Sequence, residues 1–199
     1  MDYYPIIAQS FQDTMETIAM SVDDLAGVIA QGSQLMTSAL LSDRKIIVCG
    51  NGIDAALAQL FVCNLLNRFE QDRPALPALS LTMDSASVTA IAQTSAFNDI
   101  YSRQLRALGQ ADDVLLCINS GEGASNLLRA VQTAQERSMA VIAMTSVKDT
   151  MLSAVMRPED VELQVNATRQ ARVVEIHTMA IHSFCELIDH SLFGSYNQE

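Results

Sequence analysis

Two short polar loops carry the side chains that could bind a small ligand. The first is Gly50-Asn51-Gly52-Ile53-Asp54, which follows an apolar run, and the second is Asn119-Ser120-Gly121-Glu122-Gly123-Ala124. A glycine turn between a buried strand and a helix is typical of a phosphate-binding loop, because helix N-termini present free N–H groups. Asp54 and Glu122, however, are negatively charged acceptors that would repel phosphate. The alternative is that both carboxylates only stabilise helix starts, by about 0.3–1 kcal/mol each.

The last predicted helix carries the side chains that could move a proton. His182 could act as a general acid or base, although a lone histidine on an apolar helix is more often a hydrogen-bonded core or interface residue. The same applies to His177. Glu175 lies seven positions before His182 and shares its face, yet the two form no known catalytic triad. These residues alone therefore do not predict a catalytic site.

Leu192 and Phe193 stand just before Gly194, where that helix is expected to end. They could cap the core at the final turn, with Gly194 as the helix stop. They could equally contact a partner, since an exposed aromatic side chain can fill a partner's pocket and supply much of the binding energy. The residues leave both interpretations open.

Composition limits the classes of function. The chain has 199 residues, 49% of them hydrophobic, and a formal net charge of −11. That charge argues against direct binding of nucleic acid, which depends on Lys and Arg. No apolar run approaches the roughly 20 residues that span a bilayer, and no secretory start is visible. The four scattered cysteines are typical of free core thiols, so we expect a cytoplasmic protein.

Strand and helix patterns alternate along the chain and must position these loops. Short apolar runs predict parallel strands, and between them helical periodicity predicts helices. We therefore expect an α/β fold with a parallel sheet covered on both faces, and both polar loops at the carboxyl ends of its strands. Two further helices are predicted over residues 5 to 41, separated near Ser21. The strands are expected at 45–49, 77–81, 113–118, 140–145 and 160–165, and the later helices at about 54–70, 85–108 with a break near 95–98, 123–138, 149–156 and 169–190.

Three segments carry a resemblance to a known family: CGNGIDAALAQLF, FNDIYSRQLRALGQADDVLLCINSGEGASNLLRAV and ARVVEIHTMAIHSFCELIDHSLF. They resemble the SIS (sugar isomerase) domain family, in the branch of phosphoheptose isomerase and the DnaA initiator-associating protein DiaA, and are most similar to the latter. The resemblance implies a single domain over 1–199. It would be a three-layer α/β/α sandwich with a doubly wound, flavodoxin-like five-stranded sheet over 42–199. The N-terminal helical pair, residues 1–41, would pack between the subunits of a homotetramer.

The same resemblance identifies positions with altered chemistry. Phosphoheptose isomerases hold phosphate with Ser and Thr hydroxyls, and here the first such serine is replaced by Asp54, so only Ser120 keeps a matched hydroxyl. Their metal ligands and acid–base pair fall at Leu60, Asn64, Val174 and His182, of which His182 alone is kept. We therefore expect no metal, no cofactor and no catalytic site. The expected cleft residues are Asn51, Gly52, Asp54, Asp99, Asn119, Ser120 and Glu122.

On this basis the sequence predicts a non-catalytic homotetrameric regulator. It would bind the N-terminal domain of the replication initiator DnaA through Leu192 and Phe193 and promote DnaA assembly at the chromosomal origin. The first alternative is a phosphoheptose isomerase acting on sedoheptulose 7-phosphate. The second is a regulator that binds a phosphosugar without converting it.

Overall fold

A five-stranded parallel sheet forms the centre of the computed structural model, which describes residues 1–194. The strand order is β2-β1-β3-β4-β5, and adjacent strands pair in parallel throughout. The predicted α/β sandwich is therefore confirmed, and each strand lies within two residues of its expected bounds. The strands are β1 Ile46–Gly50, β2 Ala78–Ser80, β3 Val114–Ile118, β4 Ala140–Ser146 and β5 Val161–Val165.

Both faces of the sheet are buried, which explains why its central strands are continuous apolar runs. Alternate residues of β1 point to opposite sides: Ile46 and Val48 pack in one hydrophobic cluster, Ile47 and Cys49 in the other. The first cluster joins the sheet to α1, α2 and α7, and the second joins it to α4, α5 and α6. The helices are α1 Tyr4–Leu41, α2 Ile53–Leu66, α3 Ser85–Thr94, α4 Ser102–Leu108, α5 Ser125–Glu136, α6 Thr150–Ser153 and α7 Gln170–Phe193, with a 3-10 turn at Phe97–Asp99.

The N-terminal segment is one helix of 38 residues, so the predicted helical pair is wrong in this respect. The expected break at Ser21 does not form because the Ser21 hydroxyl donates to the carbonyl of Thr17, four residues earlier, and does not cap a new helix. The C-terminal half of α1 packs on the sheet through buried residues such as Leu25 and Met36. Its N-terminal half exposes Ile6, Ile7, Phe11, Met15, Met20 and Val22.

A buried ion pair joins α7 to Arg73, in the segment between α2 and β2. The Arg73 Nε donates to Asp189 Oδ1 at 2.8 Å, and the Arg73 Nη atoms donate to the carbonyls of Asn64, Leu65 and Pro74 at 2.8–3.0 Å. These contacts satisfy carbonyls at the C-terminus of α2 that have no partner within the helix. They hold α2, which begins at the first polar loop, at a fixed position against α7.

The cysteines are free, as expected: Cys49, Cys117 and Cys185 are buried and Cys63 is exposed. None of the helices among residues 1–194 is both long and apolar enough to cross a lipid bilayer.

Candidate functional site

The two polar loops lie side by side at the carboxyl edge of the sheet. From β1 the chain passes to β2 on one side, whereas from β3 it passes to β4 on the other, so the crevice between β1 and β3 is the topological switch point. Gly52 adopts a φ of +56° between β1 and α2, a backbone conformation that favours glycine. At Gly50 a Cβ would lie 2.7 Å from the Asp54 backbone, so no side chain fits there. These two glycines bring the start of α2 against the strand ends.

Asp54 bridges the two polar loops. It lies in the first turn of α2 and is 3% exposed. Its Oδ2 accepts from the backbone N–H of Ser120 at 3.0 Å, whereas its Oδ1 has no hydrogen-bond partner in the described part of the chain. Burial raises the pKa of this carboxyl, and the hydrogen bonds from Ser120 oppose the shift only in part.

Asn51 and Asn126 form a reciprocal amide pair across the crevice. Each side chain donates to the other, at 2.9 and 2.8 Å, and Tyr101 donates to Asn51 Oδ1 at 3.1 Å. The Tyr101 hydroxyl also donates to the carbonyl of Gly50. Tyr101 is fully buried, and desolvation raises its pKa, so it stays protonated at neutral pH. This group fixes the orientation of the Asn51 amide at the mouth of the first loop.

The second loop is held by its own polar side chains. Asn119 donates to Asp149 Oδ2 at 2.5 Å and to the carbonyl of Glu122 at 2.8 Å. Ser120 Oγ accepts from Gln170 Nε2, at the first residue of α7, at 3.0 Å. The Glu122 side chain is exposed, and only its carbonyl takes part in this network. The loop therefore buries its own amide and hydroxyl, at Asn119 and Ser120, and holds one acidic side chain outside.

Asp99 is the last residue of the 3-10 turn that precedes Tyr101. Its Oδ1 accepts from Arg129 Nη1 of α5 at 2.5 Å, and both side chains are partly exposed. The expected cleft carboxylate is therefore neutralised by an arginine. This ion pair ties the 3-10 turn to α5.

The four positions that match catalytic residues of the isomerases do not converge on the crevice. Leu60 and Val174 are partly buried against the hydrophobic cluster that joins α1, α2 and α7 to the sheet, and the backbone carbonyl of Asn64 accepts from Arg73. His182 is exposed, and its ring lies 5.6 Å from that of Phe69. It stands 12 positions after the first residue of α7, about 18 Å along the helix. Within one chain, His182 cannot reach a ligand at Ser120.

His177 and Glu175 have structural partners. His177 is fully buried with Nε2 3.2 Å from the carbonyl of Thr145, and burial lowers its pKa to about 4, so the ring is neutral at pH 7. Glu175 accepts from Arg172 at 2.7 Å and from Thr14 at 3.0 Å. Neither residue faces the switch point, in agreement with the cautious interpretation of the sequence.

The side chains at the isomerase ligand positions do not fit a divalent metal. Leu60 and Val174 carry no donor atom, and zinc sites in proteins use Cys, His, Asp or Glu. Across residues 1–194, no group of three or more such side chains is arranged to hold a metal ion. The polar side chains of the two loops are instead suited to hydrogen bonding with hydroxyl groups.

Leu192 and Phe193 complete the last turn of α7. Leu192 packs partly buried against the α1–α2–α7 cluster, and Phe193 is 42% exposed. Leu192 therefore acts as a cap on the core, as one interpretation predicted. The Phe193 ring remains accessible at the helix end.

Three residues at the crevice were missed by sequence reasoning: Tyr101, Asn126 and Gln170. Asn126 and Gln170 lie at the starts of α5 and α7, whose N-termini point to the same edge of the sheet as the two loops. Their location at helix starts could therefore have been used to predict Asn126 and Gln170 as crevice residues. Tyr101 gave none, because its role depends on how the segment between α3 and α4 folds against β1.

Comparisons with known proteins agree with this architecture. The family profile described as the SIS domain matches residues 10–146. A phosphoheptose isomerase of Halorhodospira halophila is 41% identical over 98% of both chains, and one of Alkalilimnicola ehrlichii is 42% identical over 98% of this chain and 99% of its own. Phosphoheptose isomerase GmhA of Neisseria gonorrhoeae has a TM-score of 0.89 at 34% identity, covering 94% of this chain and 99% of its own. The Francisella tularensis phosphoheptose isomerase has a TM-score of 0.91 at 35% identity, covering 96% and 100%.

These relatives contradict the predicted function. A non-catalytic DnaA-binding regulator was expected because three catalytic positions are changed and Leu192 and Phe193 are present. Yet relatives that are 36–42% identical over nearly the whole chain are named phosphoheptose isomerases. The first alternative, a phosphoheptose isomerase, fits these relatives better. The resemblance to the isomerase branch is supported, and the assignment to the DiaA subtype is not. The chain belongs to the SIS domain family, within its phosphoheptose isomerase branch.

Proposed function

We propose that the protein acts on a phosphorylated sugar, as an aldose–ketose isomerase of the phosphoheptose class. The observation that carries this proposal is the extent of identity, 36–42% over 97–98% of the chain, to proteins named phosphoheptose isomerase. The β1–β3 crevice is lined by uncharged polar groups, the exposed Gln170 and partly buried Asn51 with the buried Ser120 behind them. Such groups can hydrogen-bond the hydroxyls of a sugar.

Isomerisation moves a proton between adjacent carbons, so it needs a group that accepts and returns that proton. Of the four matched positions, His182 alone carries such a group. Because it lies about 18 Å along α7 from Gln170, it would serve a sugar that is bound between two copies of the chain. The Asn51 and Ser120 side chains would hydrogen-bond the sugar near its phosphate end.

The test is an NMR assay of sedoheptulose 7-phosphate conversion by the purified protein. We expect slow turnover, reduced at least ~100-fold in His182→Ala, since a general acid or base contributes about 10²–10⁴. His190→Ala, two turns further along the same helix, is the matched control and should keep the activity. No turnover, combined with no binding of the sugar phosphate by calorimetry, would refute the proposal.

A second candidate is binding of a phosphosugar without conversion. Leu60, Asn64 and Val174 favour it, because Leu and Val carry no donor atom for a metal and Asn cannot act as a general base at neutral pH. In this case millimolar sugar phosphate should raise the stability, by about 2.7 kcal/mol at 100 times its Kd, while the NMR assay detects no product. Product formation that depends on His182 would exclude this candidate.

We also propose that the chain self-associates through the N-terminal half of α1. This segment exposes six large apolar side chains, with Ile6, Phe11 and Met20 each more than two-thirds exposed. Large exposed apolar side chains in this number often mark a protein–protein contact. Light scattering after gel filtration should give an oligomer for the native chain and a smaller species for Phe11→Glu. Gln34→Glu, on an exposed part of the same helix, should change nothing, and a native monomer would contradict the proposal.

A further inference from the structure

Asp54 is placed unlike an ordinary carboxylate at a helix start. Although it lies in the first turn of α2, its side chain accepts no hydrogen bond from the N–H groups of that helix. It reaches across the crevice instead, to the backbone N–H of Ser120 in the other loop. Asp84, the residue just before α3, shows what a capping carboxylate does, since it accepts from Ala86 and Ser87 of that helix. Capping of α2 therefore does not explain Asp54.

The second carboxylate oxygen is the more informative one. Asp54 Oδ1 is buried and has no hydrogen-bond partner among residues 1–194. A buried acceptor of this kind costs free energy unless something compensates it. Burial also raises the pKa of the group, so the fold works against the charge at this position. A side chain kept for stability alone would have both oxygens paired or would be neutral.

The position occupied by this carboxylate is where an anionic ligand is expected. In open parallel sheets, ligands bind at the switch point beyond the strand ends, and anions are held there by backbone N–H groups and helix N-termini. Asp54 places a negative charge at the start of α2, and its Oδ2 takes the Ser120 N–H. A ligand phosphate would need that same donor and would meet a carboxylate a few ångströms away.

We propose that Asp54 is a tethered anion that fills the anion position of the β1–β3 crevice, and that it determines how strongly the cleft binds a phosphate group. The choice of phosphate as the ligand group rests on the proposed function. The side chain competes with phosphate for the Ser120 N–H, and the sugar hydroxyls use the remaining Asn51, Ser120 and Gln170 side chains. Removing the carboxylate converts a weak anion site into a strong one.

The experiment compares the native chain with Asp54→Ser and Asp54→Asn. Calorimetry measures binding of inorganic phosphate and of sedoheptulose 7-phosphate, and circular dichroism checks that each variant is folded. Asp54→Ser removes the charge and adds a hydroxyl donor, whereas Asp54→Asn removes the charge at nearly constant volume. We expect both to bind phosphate at least ~10-fold more tightly, since removing a like charge within a few ångströms is worth more than a factor of ten in affinity. Glu136→Gln, at the far end of α5, is the matched control for net charge and should bind as the native chain does.

The outcomes separate this inference from the proposed function. If the native chain binds the sugar phosphate and the folded Asp54 variants bind phosphate no more tightly, the inference is overturned and the function stands. If the native chain binds no sugar phosphate and the variants do, the inference holds and the function fails. Equal gains in the variants and in Glu136→Gln would reduce the effect to net charge and overturn the inference as well.

Discussion

Removing the Arg73 side chain should cost the protein several kcal/mol of stability. The side chains of Arg73 and Asp189 are 1% and 0% exposed, so neither charge is solvated. In Arg73→Met the Asp189 carboxylate would stay buried without a counter-ion. The Asn64 carbonyl would lose the Arg73 donor, and the Leu65 carbonyl would keep only the backbone N–H of Leu76. Breaking one side of a buried pair typically costs about 3–5 kcal/mol, because the remaining charge is uncompensated. We expect Arg73→Met to lose free energy of unfolding in that range.

The loss should depend on pH, with a defined sign. Burial raises the pKa of Asp189, and Arg73 opposes that shift. Without Arg73 the pKa of the Asp189 carboxyl would be raised further. A carboxyl whose pKa is raised on folding is not penalised below its unfolded pKa of about 3.9, and its penalty develops as the pH rises through the folded pKa. The deficit of Arg73→Met should therefore be small near pH 4 and largest near pH 7.

Urea unfolding followed by circular dichroism measures this, at one protein concentration because association would shift the midpoint. Arg68→Met is the matched control: its pair with Asp72 is 3.9 Å long and exposed, so it should cost no more than about 0.5 kcal/mol. The double variant Arg73→Met/Asp189→Leu should recover part of the loss, because no buried charge remains. An Arg73→Met protein within about 1 kcal/mol of the native chain at pH 7 would refute the reasoning.

Three further perturbations have defined directions. Asp54→Asn should raise the melting temperature at pH 7, because folding no longer buries a charge, and the gain should vanish toward about pH 3.9, where the native carboxyl is neutral. His177→Gln should remove up to about 3 kcal/mol of acid sensitivity between roughly pH 6.5 and 4, because burial lowers the pKa of His177 to about 4 and the native ring must charge on unfolding. Gly27→Ala should stabilise by up to about 1 kcal/mol, whereas Gly32→Ala, whose methyl would lie 3.0 Å from the Phe184 ring, should gain less or lose stability.

Each of these is checked by thermal or urea unfolding, the first two across a pH series. A native-like acid profile in His177→Gln would mean that the ring is accessible to protons in the folded state. An Asp54→Asn variant less stable than the native chain at pH 7 would mean that the carboxylate is stabilising. Equal effects at the two glycines would mean that α1 lies further from α7 than described.

The sheet could be predicted because burial on both faces leaves a direct signal in sequence. Runs such as Ile46–Gly50 and Val114–Ile118 are apolar on every residue, and a strand between two layers of helices requires that pattern. The single helix α1 was not predicted. Ser21 has two possible local hydrogen bonds, one that starts a helix and one that continues it. The packing of α1 on α7 and the sheet selects the second, and that packing is not visible in local sequence.

The position of the crevice could be predicted from the sequence, but the hydrogen-bond partners of its side chains could be predicted only in part. Both loops follow apolar strands, so their meeting at one edge of the sheet follows from parallel topology. The partner of Asp54 could not be predicted, because a carboxylate in a first helical turn is normally explained by the dipole of its own helix. The bond to Ser120 depends on the close approach that Gly50 permits, where even a Cβ would meet the Asp54 backbone.

The departures from the isomerase pattern fall in two places that act on different steps. Asp54 lies at the switch point and controls an anion contact, whereas Leu60 and Asn64 lie 6 and 10 positions further along α2, about 9 and 15 Å away. At those separations the two effects on free energy should be nearly additive. Asp54→Ser should therefore tighten sugar phosphate binding without changing the rate constant of the bound substrate. If the rate constant rises as well, the carboxylate also opposes the chemical step, and binding and catalysis are coupled through the start of α2.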